Sequence, residues 1–125
     1  MGVHLINLAN KDHWKKVNWW NWRPTIELIR KLGIIDDTRL HLMCFNVTGV
    51  SVTKEEAQQI GETFQADLLP KINSGQRILL DLSITSEPDD DKFHRDDLGK
   101  NYSARYEWLE EFTEFCLDCE GFTVV

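Results

Sequence analysis

Only three of the 125 residues are cysteine. A small, odd number argues against a disulfide framework and for reduced thiols. Long hydrophobic runs are missing as well: nothing approaches the roughly 18 apolar residues of a membrane span. The N-terminus has neither the basic start nor the apolar core of a signal peptide, so a cytoplasmic location and no membrane association are expected. Clustered positive charge is also lacking, with 14 Lys and Arg against 21 Asp and Glu, a net charge of −7. This argues against nucleic acid as a partner, which demands a basic patch. No G-x-S-x-G, Gly-rich phosphate loop or H-E-x-x-H occurs, and Ser103 and His94, though near in sequence, have nothing to orient them as nucleophile and base. No catalytic residue is therefore assigned and no cofactor is implied. There is neither an internal repeat nor a linker, so residues 1–125 read as a single domain.

What is present suffices for a core. Hydrophobic residues make up 42% of the chain and charged residues 28%, the balance of an ordinary globular domain. Three of the five tryptophans fall in Asn18-Trp19-Trp20-Asn21-Trp22-Arg23-Pro24, the densest apolar area in the chain beside hydrogen-bonding groups. The negative charge is uneven: residues 86–125 hold 4 basic and 12 acidic side chains, a sum of −8. Such a field attracts a cationic partner, although acidic faces also simply keep proteins in solution.

Periodicity predicts three amphipathic helices. The first spans about 24–32, with Pro24 as its opening residue, Ile26, Ile29 and Leu32 on one face, and Gly33 as a left-handed C-terminal stop. The second spans about 53–69, opened by the capping box Thr53-Lys54-Glu55-Glu56 and striped by Ala57, Ile60, Phe64 and Leu68. Gly61 lies on that stripe, where a glycine suggests the close approach of another element. The third spans about 103–119, apolar at Trp108, Leu109, Phe112, Phe115, Cys116 and Cys119 and acidic at Glu107, Glu110, Glu111, Glu114 and Asp118.

Strands are expected near Val3–Leu8, at Arg77–Ile84 as a mostly buried strand, and at Phe122–Val125 as an edge strand. Lys11–Lys16 reads as a loop and Asp36-Asp37-Thr38 as a turn, while Leu40–Phe45 fits either strand or short helix. The fold class is α+β, with three helices and a small, largely antiparallel sheet of short strands.

Candidate binding residues fall in two places. Trp19 and Trp22, with Arg23, Asn18 and Asn21, have the chemistry to line a groove for a planar or sugar-like ligand. As core residues the same rings anchor the fold, and three rings in four positions leave at least one near the surface. The segment Glu87 to Asp97 is rich in carboxylates, with Asp89, Asp90, Asp96 and Asp97 beside His94 and Arg95. Oxygen clusters suit Ca²⁺, Mg²⁺ or Mn²⁺, and a histidine with carboxylates suits Mn, Fe or Zn. The spacing lacks the glycine of a calcium-hand loop, and charge runs are usually solvated, with Asp97 or Asn101 available to cap the third helix. Cys116-Leu117-Asp118-Cys119 is a C-x-x-C near a helix C-terminus among carboxylates, which raises thiol pKa values and favours core packing over redox work.

Asn18-Trp19-Trp20, Trp22-Arg23-Pro24-Thr25, Gly75-Gln76-Arg77, Glu87-Pro88-Asp89-Asp90, Phe93-His94-Arg95-Asp96-Asp97, Asn101-Tyr102-Ser103 and Phe112 with Phe115-Cys116 span most of the chain. Together they resemble a group of small bacterial proteins of unknown function. The resemblance implies a bacterial, cytosolic protein and carries no activity, substrate or cofactor. Glu120-Gly121-Phe122 departs from the Gly-Gly-Phe of that group at the final turn. Two functional expectations result. One is a non-enzymatic binding protein that meets a cationic protein partner through its acidic C-terminal third. The alternative is a ligand or metal site, catalytic or not, built on His94-Arg95-Asp96-Asp97 with Trp22 and Arg23; Tyr102 is a further candidate binding residue.

Overall fold

The computed structural model describes residues 2–44, 49–87 and 102–125. The chain opens with an antiparallel hairpin, β1 (Gly2–Asn7) and β2 (Trp14–Asn18). In β1, Val3, Leu5 and Asn7 point inward, the period-2 pattern of a strand with one buried face. Residues 14–16, expected in a loop, are strand. They carry little apolar signal, but the ladder to β1 satisfies their backbone, and only Val17 in β2 is buried. Gly2 is obligatory at the hairpin's open end, where a Cβ would lie 2.0 Å from the Val17 carbonyl oxygen.

Helix α1 runs Trp19–Leu32 and starts at Trp19, well over one turn before the expected start near Pro24. Pro24 is therefore inside the helix and not its opening residue. The true N-cap is Asn18, whose Oδ1 accepts from the Asn21 N–H at 2.9 Å. Gly33, at φ 69°, closes α1 in the left-handed conformation that its sequence position predicts. Helix α2 (Asp37–Leu42) follows, N-capped by Asp36. The turn expected at residues 36–38 is thus a helix start, and the ambiguous stretch from Leu40 is helical as far as Leu42. Its buried Leu40 supplies the apolar contact.

Strand β3 (Val50–Val52) leads to α3 (Lys54–Thr63), where both halves of the Thr53/Glu56 capping box form. A π-helical turn, Phe64–Leu68, and a 3₁₀ turn, Leu69–Lys71, continue the helix. Pro70 explains the change of pitch. Its ring would clash with the carbonyl four residues earlier, and it has no N–H to donate. The wider turn lets the Leu69 N–H reach the Phe64 carbonyl instead.

The single buried strand expected at residues 77–84 is a hairpin. Strands β4 (Arg77–Leu79) and β5 (Ile84–Thr85) flank a turn closed by Leu82 N–H to Leu79 O and Leu79 N–H to Ser83 O. Asp81 breaks the run by accepting from both the backbone and the hydroxyl of Ser83. Strand β6 (Ser103–Arg105) pairs with β4, completing a three-stranded sheet ordered β5-β4-β6. This ladder holds residues 103–105 extended, so α4 is Tyr106–Asp118 and begins three residues later than expected. Its N-cap position is Arg105, not Asp97 or Asn101, and the Tyr106 N–H donates to the Gln76 carbonyl.

Strand β7 (Phe122–Val124) pairs antiparallel with β1 on one side and β3 on the other, giving the order β2-β1-β7-β3. It is an interior strand rather than the expected edge, and Phe122 and Val124 are fully buried. The architecture is α+β, with antiparallel pairing in both sheets. Phe112 of α4 is the aromatic hub, within 6.2 Å, centroid to centroid, of Trp22, Phe64, Trp108 and Phe122. Gly61 on α3 faces α4 so closely that a Cβ would sit 2.8 Å from Leu117 Cγ. Among the described residues no helix is long and apolar enough to cross a membrane.

Candidate functional site

The tryptophan cluster divides. Trp22 is fully buried, its Nε1–H donating to the Met43 carbonyl at 2.8 Å and its ring edge-on to Phe112. It is core and lines no groove, contrary to the binding role considered for it. Buried indole rings need a partner for the N–H, and the end of α2 supplies one. Trp19 is half-buried against the core. Trp20, not Trp22, is the ring that meets Tyr102, at 4.6 Å between centroids, and the Arg23 guanidinium lies 5.7 Å from the same Tyr102 ring. Arg23 and Tyr102 are thus brought together, in a cation–π contact that one face of each group satisfies. Asn18 and Asn21 are engaged in the backbone: Asn21 Oδ1 accepts from the Arg105 N–H at 3.0 Å. Asp89, Asp90, His94, Arg95, Asp96 and Asp97 lie outside the described residues. Among the described residues no three His, Cys, Asp or Glu side chains converge as metal ligands.

The cysteines are packing groups. Burial pushes the Cys116 thiol well up from its ordinary range, with Cys119 adding to the effect. Cys119 and Cys44 are raised chiefly by burial too. Thiols held protonated are poor nucleophiles, which agrees with the reading of C-x-x-C as core. Ser103 is buried, and among the described residues its Oγ has no hydrogen-bond partner.

A concave surface lies elsewhere among the described residues. A cleft of about 380 Å³ opens between the C-terminal half of α1, the π turn and the β4–β5 hairpin. Leu28, Lys31 and Leu32 face it from α1, at the i, i+3, i+4 spacing of one helix face. Phe64 and Leu68 of the π turn and Ile78, Leu82 and Ile84 of the hairpin also line it. Lys31, Lys71 and Asp67 are the charged residues of the lining. All three are exposed, and among the described residues neither lysine makes an ion pair.

Two departures from regular backbone border this one cleft. The first is the π turn itself, a rare geometry that concentrates at functional sites. The second is Leu82, the one non-glycine residue with positive φ among those described, at 70°. It occupies the left-handed position of a three-residue hairpin loop, where glycine or asparagine is normal. A leucine there costs about 1 kcal/mol or more in backbone strain. The compensation is its side chain, which packs on the core and walls the cleft.

The lining contains no Cys, His or Ser. Its one hydroxyl, on Thr63, donates to the Gln59 carbonyl at 2.7 Å. The chemistry available is burial of apolar surface and attraction of charge. Sequence reasoning did not find these residues. The one local signal was polar Asp81 and Ser83 interrupting an apolar run, and nothing in the sequence ties that run to Leu28 or Phe64. No family model, curated protein or solved structure matches this chain.

Proposed function

We propose that the protein is a non-enzymatic binding protein whose ligand occupies the apolar cleft between α1, the π turn and the β4–β5 hairpin. The observation that carries this reading is Leu82. A strained leucine stands where glycine would relax the backbone, and its side chain forms the cleft wall. The volume is at the lower end of the range of small-molecule sites. The test is a fluorescence titration with the neutral apolar probe N-phenyl-1-naphthylamine. Saturable one-site binding is expected, weakened at least about fivefold in Leu82→Gly, roughly 1 kcal/mol of lost contact. Binding that does not saturate, or is unchanged in Leu82→Gly, refutes the reading.

A second reading is favoured by α4. Glu110, Glu111, Glu114 and Asp118 are exposed, and among the described residues no Lys or Arg pairs with them. Charges spread along a helix suit an extended basic partner better than a single ion. Reversal of Glu110, Glu111 and Glu114 to lysine should abolish binding of a cationic peptide such as an oligo-arginine. Retained binding removes this reading.

A further inference from the structure

The cleft is not simply greasy. Its lining joins apolar side chains to two lysines from different elements, Lys31 of α1 and Lys71 of the 3₁₀ turn, with Asp67 as the one acidic group. The charged lining therefore sums to +1 on a protein whose net charge is −7. A local positive potential on an acidic molecule selects an anion against the general field. The remaining lining is apolar: Leu28, Leu32, Phe64, Ile78, Leu82 and Ile84. A neutral apolar ligand would leave the lysines unused, and a small inorganic anion would leave those walls wet. The fitting chemistry is an amphipath with an apolar chain and a single negative head.

Size narrows the class. A cleft of about 380 Å³ is at the lower end of small-molecule sites, which favours a short amphipath over a long-chain lipid. A saturated carboxylate of about ten carbons belongs to that class. Resting on the cleft reading above, we infer that the occupant is a medium-chain carboxylate, its chain between Phe64 and Leu82 and its head held by Lys31 and Lys71. Exposed ion pairs are individually weak, and two of them are worth about tenfold in affinity together.

The test is calorimetric titration of the full chain with decanoate, decanol and decyltrimethylammonium, each below its aggregation threshold. Decanoate should bind about tenfold more tightly than decanol, and the cation least tightly. Lys31→Gln with Lys71→Gln should reduce decanoate to the affinity that the same variant shows for decanol. Asp67→Asn should tighten decanoate, because it removes the one repulsive charge. Raising the salt concentration should weaken decanoate alone. Equal affinity for decanoate and decanol overturns the head-group inference and leaves the cleft reading standing. Binding of none of the three ligands overturns both. Sedimentation showing a dimer that decanoate does not dissociate would make a second copy of the chain the occupant and would also overturn the inference.

Discussion

Gly61 sets two physical effects against each other, and the structure decides the sign. By propensity alone, Gly61→Ala in the middle of α3 should stabilise the helix by about 1 kcal/mol. The packing says otherwise. An added Cβ would lie 2.8 Å from Leu117 Cγ, 2.9 Å from Leu117 Cδ2 and 3.2 Å from Cys116 Cβ. Leu117 Cγ is one bond from its Cβ and swings little, and Cys116 Cβ is fixed to the backbone, so α3 and α4 must separate. Overpacking of this kind costs about 1–3 kcal/mol. The expected net result is a loss of up to about 2 kcal/mol after the propensity gain. Leu117→Ala removes the two closest atoms and leaves only the Cys116 contact, which a shift of a few tenths of an ångström relieves. Urea unfolding followed by tryptophan fluorescence on both single variants and the double variant should show a coupling of about 1 kcal/mol or more in the direction of rescue. Because α3 runs directly into the π turn, Gly61→Ala should also weaken probe binding in the cleft. A stabilised Gly61→Ala with no coupling to Leu117 would refute the packing argument and leave propensity in charge.

Two other perturbations probe the polar framework. Arg39 bridges α2 and α3, donating to Glu56 Oε1 at 2.8 Å while also pairing with Asp36, and these hydrogen bonds hold the Glu56 carboxyl below its usual range. A lowered folded-state pKa means that the contribution is complete above the ordinary glutamate pKa and is lost as pH falls through the folded value. Urea midpoints should therefore fall between about pH 5 and pH 3 in the natural protein and fall less in Glu56→Gln, which keeps the cap but does not titrate; the difference is about 1 kcal/mol. Inside the core, Trp108 Nε1–H donates to Thr25 Oγ1, which in turn donates to the Asn21 carbonyl. Thr25→Val leaves the indole N–H without its partner and should cost about 1–3 kcal/mol in thermal or urea unfolding.

Local chemistry was legible from the chain. Thr53 and Glu56 cap a helix because their side chains reach backbone groups within three residues, and Gly33 ends one because its missing Cβ permits the left-handed turn. The buried faces of α3 and α4 were legible for the same reason, since their stripes repeat with the period of the helix. Even the close helix crossing was marked, by a glycine on an apolar stripe. Where the tertiary structure overruled the sequence, the deciding contact lay far along the chain. Residues 103–105 are extended because β4 pairs with them, and Phe122–Val124 lie inside a sheet because β1 and β3 arrive from elsewhere. Trp22 is core because the Met43 carbonyl waits for its N–H. The cleft belongs wholly to that second category. Lys31, Phe64, Lys71 and Leu82 are unremarkable residues in four different segments, and only the packing of α1, the π turn and the hairpin brings them to one surface.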